Sequence, residues 1–578
     1  MRANYNRLFF PSAAITLLLT TGCQGIDQWA AAGDGSDKVA ITANHYALAE
    51  KWFKPNISKL VKNLTVKPHW IGDSDQFWYQ RQTATGFEFT VVDAADGTKM
   101  PAFDHGGIAL ALEKSGLEGI KANKLPFAQF EFGADRSTIT FEVEETEYSC
   151  TIPAATCSGA AVAPIHAGTL VSPDKTKGLL TRGGNLYLVN LDSNGETALT
   201  SDGEEHFGYG LYYGNWKASY IPRKRNGGDA NYPPMEAKWA DNSRHVLVTR
   251  LDERHVAPYP LLETAPNDGS FRPKVHLPRI PLTGEPPAKV DWLVIDTQTG
   301  SKVRLNLPYQ KLFQVHQDML AIRKHWWSED YSRLYVLAWG RLIHSAHFYE
   351  VDVKTGNARE VIAESMSPRM DTNSTSYSPP NVFSINNHQQ VIWFSQRDGW
   401  GHLYRYDMTS GKLINQVTRG NWLVRDVIKI DETRQRIFFT AGNMQGGNPY
   451  FRYLYRVNFD GSDLTLLTPE VADHMLESPN NDVLSLSGNT GTQPLSPSGN
   501  FVAYDYSTAE QPTKSAIRRV NTGELVAIFE ESDPKALFAT GWRPPEPFVV
   551  KAKDGKTDLY GVLYKPHKLE KKQALPHS

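Results

Sequence analysis

Short apolar segments separated by polar turns recur along most of the chain. One kind of turn usually ends in Asp or Asn and precedes a segment rich in aromatic and β-branched residues, which favour strands. Eight such turns occur, at residues 70–73, 132–135, 171–174, 239–242, 327–330, 385–387, 430–432 and 495–499. The pattern predicts a chain built mainly of short β-strands.

A second kind of turn follows a strand and usually carries Asp and a closing Gly. The Asp side chain accepts a hydrogen bond that starts the turn, and Gly adopts the positive φ that ends it. The closing glycines are Gly97, Gly195, Gly300, Gly356, Gly411, Gly461 and Gly523, and the last five are 50 to 62 residues apart. The two kinds of turn therefore alternate within one repeating unit.

A repeat of about 40–50 residues with four short strands is typical of a β-propeller blade, and longer loops stretch it here. The segments lack the i, i+3, i+4, i+7 pattern of helical solenoids. We predict an all-β fold, a propeller of eight blades of four-stranded antiparallel sheets, with seven or nine blades as alternatives. Only residues 44–64, broken at Pro55, and 107–119 have a helical pattern, and residues 259–287 are predicted to form a long loop.

Composition narrows the class of protein. The 578 residues are 40% hydrophobic and 21% charged, which excludes a disordered chain. Lys and Arg number 61 against 63 Asp and Glu, so no basic surplus exists for binding nucleic acid. The sequence contains no Cys-x-x-Cys, no His-Glu-x-x-His and no glycine-rich phosphate loop. We therefore predict no cofactor and no metal ion.

The first residues resemble a bacterial lipoprotein signal peptide. Arg2 and Arg7 precede an apolar run over residues 8–19, which is too short to span a bilayer, and Cys23 follows. The expectation is a signal peptide over residues 1–23, lipidation of Cys23 and a flexible tether over residues 24–43. The chain would then be exported and lipid-anchored in the periplasm or at the outer membrane. An ordinary secretory signal with an incidental cysteine is the alternative.

Two cysteines remain beyond Cys23. Cys150 and Cys157 are close in sequence, with Pro153 between them. In an exported protein such a pair favours a disulfide bond over a metal site, which would need more ligands. We predict a structural disulfide.

The end of the chain differs from the repeats. Residues 548–555 and 559–566 form an apolar hairpin pattern that resembles the opening strands of the α/β-hydrolase domain in the prolyl oligopeptidase family of serine peptidases. Residues 397–404 (Arg-Asp-Gly-Trp-Gly-His-Leu-Tyr) and 449–456 resemble propeller motifs of its dipeptidyl peptidase IV branch. The resemblance implies a propeller over residues 44–547 and the start of a truncated hydrolase domain over residues 548–578.

In that family the propeller restricts access to short peptides, and the hydrolase domain carries a Ser-Asp-His triad. The sequence contains no Gly-x-Ser-x-Gly nucleophile motif, so no catalytic residue is assigned and the chain alone is expected to be inactive. The expected partners are a peptide substrate or a separately encoded hydrolase domain, and a membrane through the lipid, but no nucleic acid. A free-standing periplasmic propeller that binds a peptide or protein is the alternative, and a propeller glycosidase is a weaker one.

The branch also holds the free amino terminus of its substrate with a pair of acidic residues. Carboxylates suit an ammonium group because they supply both charge and hydrogen-bond acceptors. The adjacent pair Glu204 and Glu205 is the candidate in this sequence, although it lies upstream of the family's motif. A solvated turn is the alternative for these two residues.

Overall fold

The structure is a computed structural model that describes residues 43–50, 53–152, 155–161, 168–211, 234, 236–266, 269–309, 325–340, 343–373, 380–442, 444–476 and 493–565. These residues fall into two compact units, divided between Val61 and Lys62. The first unit contains two short helices, α1 (Ala43–Glu50) and α2 (Lys54–Ile57). The side-chain amide of Asn56 donates to the carbonyl of Glu50 at 2.9 Å and links the two helices.

Eight of the antiparallel sheets in the described part of the second unit are the blades of a β-propeller, as predicted. The first four blades are β1 (His69–Trp70), β2 (Gln76–Gln82), β3 (Phe87–Asp93) and β4 (Lys99–Pro101); β5 (Glu131–Phe132), β6 (Thr138–Val143), β7 (Thr146–Thr151) and β8 (Thr156–Ala161); β9 (Leu170–Val171), β10 (Lys177–Arg182), β11 (Asn185–Asn190) and β12 (Glu196–Ala198); and β13 (Phe207–Tyr209), β14 (Ala237–Trp239), β15 (His245–Asp252), β18 (Lys289–Asp296) and β19 (Lys302–Arg304). The fourth blade has a fifth strand because β13 and β14 both pair with β15. A separate ribbon, β16 (Leu261–Glu263) and β17 (Lys274–His276), lies within its long predicted loop.

The last four blades follow the same order of strands. They are β20 (His325–Trp327), β21 (Arg333–Trp339), β22 (Ser345–Asp352) and β23 (Ala358–Ser365); β24 (Phe383–Ile385), β25 (Gln390–Ser395), β26 (His402–Asp407) and β27 (Leu413–Gln416); β28 (Leu423–Asp431), β29 (Arg436–Gly442), β30 (Arg452–Asn458) and β31 (Thr465–Leu466); and β32 (Asp473–Met475), β33 (Phe501–Ser507), β34 (Lys514–Arg519) and β35 (Leu525–Glu531). Every blade except the fourth, in which the ribbon β16–β17 intervenes between β15 and β18, is thus built from strands that follow one another along the chain.

Except in the second blade, the middle strands are apolar on both faces because each sheet packs between two others. On β29 the side chains of Ile437 and Phe439 belong to a buried cluster with the sixth blade. Phe438, which points to the opposite face, belongs to a cluster with the eighth. Seven such clusters join neighbouring blades, and they explain why these strands are continuous apolar runs.

The closing glycines have two structural roles. Gly411 has a φ of +68°, a conformation that side chains with a Cβ adopt only at a cost. A Cβ at this position would also lie 2.4 Å from the carbonyl oxygen of Val361, on the fourth strand of the preceding blade. The glycine therefore ends the turn and allows two blades to approach closely.

The first and last blades meet through the same kind of contact. A Cβ on the closing Gly97 would lie 2.4 Å from the Cβ of Ala527 on β35. Below it, Phe77 and Tyr79 of the first blade pack against Phe529 of the eighth. No strand is exchanged between these two sheets, so side chains close the ring.

Glu530 is the central polar residue of this seam. Its carboxylate accepts hydrogen bonds from the hydroxyl of Tyr79 at 2.8 Å and from Nε of Arg81 at 2.7 Å. Lys62 and Asp533 also exchange backbone hydrogen bonds of 3.1 and 2.9 Å.

Two further helices belong to the second unit. The predicted helix at residues 107–119 is α3 (His105–Lys114), which begins earlier because Asp104 caps it by accepting from the N–H of Gly106 at 3.0 Å. A short helix, α4 (Lys535–Ala539), follows the last blade.

The chain then forms the predicted hairpin, β36 (Glu546–Lys551) and β37 (Asp558–Leu563). Among the described residues the two strands pair only with each other. Its apolar side chains are 44% to 52% exposed; they are Phe548, Val549, Val550, Leu559, Val562 and Leu563. The hairpin thus presents apolar side chains to solvent.

Candidate functional site

A cavity of about 1060 Å³ lies against the first two blades. Its walls include β1 and β5, the first strands of these blades, and Gln493, which lies between the first two strands of the last blade. In a propeller the first strands surround the central channel. This cavity is the best candidate for a binding site among the residues that the structure describes.

Aromatic side chains form one wall of the cavity. The imidazole of His69 stacks on the indole of Trp78, with ring centroids 4.1 Å apart and planes 9° from parallel. On its other side Trp78 stacks on Phe130 at 4.2 Å. Trp70 lies beside them, and its Nε1–H donates to the carbonyl of Gln493 at 2.7 Å. The wall is therefore fixed by ring stacking and by a hydrogen bond to the eighth blade.

His69 is uncharged in this setting. Burial, and next the nearby positive charge of Lys67, lower its pKa to about 4. Its ring nitrogens make no hydrogen bond to any other described residue. A half-buried neutral imidazole can both donate to and accept from a bound molecule.

Three carboxylates line the cavity on one face of the second blade. In the register of the sheet, Glu131 lies opposite Thr140, and Glu142 lies opposite Glu147. Thr140 and Glu142 are two residues apart on β6, so all these side chains point to the same face. None of the three carboxylates makes an ion pair with a described residue. Lys175 is the basic residue among the lining residues.

The predicted acidic pair is elsewhere, in the turn before β13. Glu204 accepts from Arg254 at 2.6 Å, and Arg254 also contacts Asp252 at 2.9 Å. The side chain of Glu205 is 91% exposed and lies 3.7 Å from the ring of His206. Neither glutamate lines the cavity, so the proposed grip on an amino terminus stays a prediction.

The structure describes two of the three cysteines. Cys150 and Cys157 form the predicted disulfide, and they face each other across β7 and β8. Cys23 lies outside the described residues.

The motif at residues 397–404 holds blades together rather than lining the cavity. Glu364 of the fifth blade accepts hydrogen bonds from Trp393 Nε1 at 2.6 Å, from the hydroxyl of Ser395 at 2.5 Å and from Arg397 at 2.8 Å. The Arg397 guanidinium also lies 4.2 Å above the ring of Tyr404. The motif therefore fixes the junction of the fifth and sixth blades.

His402 of the same motif is fully buried. Its Nε2–H donates to the carbonyl of Gly420 at 2.9 Å, and Nδ1 lies 3.1 Å from the hydroxyl of Thr418. Both ring nitrogens are used inside one blade, so this histidine has a structural role.

The described residues contain neither a metal-binding cluster nor a membrane-spanning helix. No group of three or more His, Cys, Asp or Glu side chains in these ranges is placed to hold a metal ion. No helix in the described part of the chain is long and apolar enough to cross a membrane.

Comparison with known proteins relates the propeller to a family. Residues 235–513 match the family model of the dipeptidyl peptidase IV (DPP IV) N-terminal region. The probable dipeptidyl-aminopeptidase B of Uncinocarpus reesii is 25% identical over 307 residues, which cover 51% of this chain and 32% of that protein. Dipeptidyl peptidase 4 of Trichophyton rubrum is 25% identical over 178 residues, 30% of this chain and 20% of that protein.

The fold is also found in a solved structure. The crystal structure of Porphyromonas gingivalis dipeptidyl peptidase 4 matches with a TM-score of 0.56 and 16% identity, over 93% of this chain and 68% of that one. The matches to the curated relatives span at most about a third of the length of those proteins. Residues 235–513 therefore belong to the DPP IV N-terminal region family, and this propeller is homologous to that of the dipeptidyl-aminopeptidases.

Proposed function

We propose that this chain is the substrate-gating propeller of an exported serine peptidase that acts on short peptides. The observation that carries the proposal is the family match over residues 235–513, since the propeller is shared with dipeptidyl-aminopeptidases. A propeller of eight sheets surrounds a central channel, which admits an extended peptide more readily than a folded protein. The function of the propeller would be to select substrates by size.

Peptide hydrolysis would need a nucleophile from elsewhere, because the sequence has no Gly-x-Ser-x-Gly motif. The hairpin β36–β37 supports a hydrolase domain as the neighbour. Its two strands have unpaired backbone groups along their outer edges and half-exposed apolar side chains on their faces. Such a ribbon is suited to extend a larger sheet.

The DNA that follows codon 578, together with the adjacent genes, provides the first test. We expect an α/β-hydrolase sequence with Gly-x-Ser-x-Gly there, and its product co-expressed with this chain should cleave dipeptidyl nitroanilides. The chain alone should leave them intact. If no such hydrolase is encoded, or if the co-expressed pair does not associate, a free-standing binding propeller becomes the better explanation.

A charged residue in the hairpin tests the contact itself. Val550→Asp places a carboxylate on a side chain that is 50% exposed on β36, and it should abolish co-purification with the hydrolase. Leu262→Asp is the matched control, because Leu262 is 58% exposed on the ribbon β16–β17 and should tolerate the same change. Equal loss of binding in both variants would contradict a role for the hairpin.

We also propose that the chain is anchored through lipid on Cys23. The support is the signal-like pattern of residues 1–23. Cys23→Ser should move the protein from the membrane fraction to the soluble periplasmic fraction. Unchanged fractionation would refute the anchor.

A further inference from the structure

Residues 62–66, here called the strap, precede the first blade and are attached at both ends to the last one. Lys62 forms an isolated antiparallel bridge with Asp533, which follows β35, through backbone hydrogen bonds of 3.1 and 2.9 Å. Further along the strap, the N–H of Val66 donates to Oδ2 of Asp505 on β33 at 2.9 Å. Two separate points of the last blade and its following segment therefore hold the strap.

Asn63, between these two contacts, binds the first blade instead. Its Oδ1 accepts from the N–H of Gln82 at 2.7 Å, and its own N–H donates to Oε1 of Gln82 at 3.1 Å. The side-chain amide of Asn63 also donates to the carbonyl of Gln82 at 3.3 Å. Gln82 is the last residue of β2. The strap thus contacts the last blade, the first blade and the last blade again.

Burial and backbone geometry show that Asn63 is held in place. It is 9% exposed, whereas Leu64 beside it is 54% exposed. Its φ is +52°, a conformation that Asn adopts more readily than most residues with a Cβ. Val66 packs against the buried apolar cluster that joins the first and last blades. The strap is therefore part of the seam between these blades.

The strap supplies what this seam lacks. The first and last blades share no strand among the described residues, so no row of strand hydrogen bonds crosses between them. Side chains such as Phe529 and Glu530 make the direct contacts. The strap adds hydrogen bonds to the main chain on both sides, at Gln82 and at Asp533. Separating the two blades would require the strap to leave one of them.

We propose that the strap is a latch that keeps the ring closed at this seam, with Asn63 as the residue that attaches it to the first blade. The chain enters the ring at Lys62 and leaves it at Asp533, so their bridge also links closure to the segment that leads to α4 and the hairpin β36–β37. The inference is independent of the proposed function, since it concerns how the ring closes and not which molecule enters it.

Hydrogen exchange of the full chain, followed by mass spectrometry, tests the latch. Asn63→Gly removes the two hydrogen bonds of the side chain and leaves a residue that tolerates the positive φ. The amides of β2 and β35 should then exchange at least about tenfold faster. Those of β21 and β22 in the fifth blade should keep their rates.

Asn194→Gly is the matched control. Asn194 has a φ of +56°, is exposed, and lies in the turn between β11 and β12 of the third blade. The same chemical change is therefore made at the same backbone conformation, away from the seam. Exchange in β2 and β35 should stay within about twofold of the unmodified chain.

Asn63→Asp serves if Asn63→Gly does not fold. It keeps the oxygen that accepts from the N–H of Gln82 and loses the amide that donates to the carbonyl of Gln82. Exchange in β2 and β35 should be accelerated by about twofold to tenfold.

Three results would overturn the proposal. Faster exchange confined to residues 62–66 and Gln82 would show that the strap has no effect on the seam. Equal acceleration in every blade would show a general loss of stability, and unchanged exchange in the variants of Asn63 would show that its hydrogen bonds do not hold the ring. These measurements need neither a peptide nor a hydrolase. A failure to find a hydrolase partner would therefore refute the peptidase role and leave the exchange result standing.

Discussion

Removing the carboxylate of Glu530 should loosen the junction between the first and last blades. Glu530 is 7% exposed and accepts from Tyr79, whose hydroxyl is buried, and from Arg81, whose side chain is 37% exposed. Burial, and next the charge of Glu530, raise the pKa of Tyr79, so its hydroxyl stays a donor at all ordinary pH values. Glu530→Ala would leave that donor without an acceptor.

The size of the effect follows mainly from the contacts with Tyr79 and Arg81, because the third partner, Lys99 Nζ, lies farther from the carboxylate, at 3.7 Å. A buried donor that loses its partner costs about 1–3 kcal/mol. The ion pair with Arg81 is partly exposed, so it contributes less than about 1 kcal/mol. The expected loss is therefore about 2–4 kcal/mol, which corresponds to about 30- to 1000-fold in the opening equilibrium of the seam.

Hydrogen exchange followed by mass spectrometry measures this loss where it occurs. The amides of β2 and β35 should exchange faster in Glu530→Ala, while those of β21 and β22, on the far side of the ring, should keep their rates. Glu88→Ala is the control: Glu88 contacts the same Arg81 at 3.1 Å but is exposed, so the change should be within about 0.5 kcal/mol. Equal acceleration in all blades, or none in β2 and β35, would refute the idea that side chains at this seam close the ring.

Three other changes give separate expectations. Both Gly411 and Gly300 have a positive φ, so replacing either by Ala should cost about 1–2 kcal/mol. Gly411→Ala should destabilise the protein more than Gly300→Ala in thermal unfolding, because only at Gly411 would the new methyl group lie against a neighbouring blade. Burial raises the pKa of Asp505 to about 6. The protein should therefore be most stable below the ordinary pKa of Asp, near 4, and should lose about 2–3 kcal/mol of stability as the pH rises through 6. Asp505→Asn should lack this decline between pH 4 and 7. A flat difference between the two proteins over that range would contradict the raised pKa. Cys157→Ala removes the disulfide and should cost about 2.5 kcal/mol of stability, measured as faster hydrogen exchange confined to β8. Faster exchange in the other blades as well would contradict a local role for the disulfide.

The sequence predicted the blades well because the two kinds of turn within each blade have characteristic residues. The turns with Asp and Gly lie between the third and fourth strands of a blade, as Asp407 and Gly411 show. The polar turns lie before the second strand, as Asp330 shows. These turns depend on local hydrogen bonds and on positive φ, which a single residue type can signal. The hairpin and the disulfide were also predictable from nearby residues, the hairpin from its two apolar segments and the disulfide from two cysteines close in sequence.

The cavity was not predicted, because its residues are distant in sequence. His69, Glu131 and Gln493 come together only when the first, second and last blades are placed side by side. One local signal was present: Glu142 and Glu147 flank a tight turn at matching positions, so a hairpin there brings two like charges opposite each other. The fifth strand of the fourth blade was missed because β13 and β14 are separated by 27 residues and pair with opposite ends of β15.

Gly97 approaches Ala527 closely, as Gly411 approaches Val361. The junction of the first and last blades therefore resembles a junction between blades that follow each other in the chain. Most adjacent modules are joined by the same type of apolar interface, and each module completes its strand pairing within its own sheet. An in-frame duplication or deletion of a whole module would therefore leave the pairing inside all the others unchanged and alter only the diameter of the opening. Relatives that admit larger or smaller molecules could arise by that route without any new strand pairing.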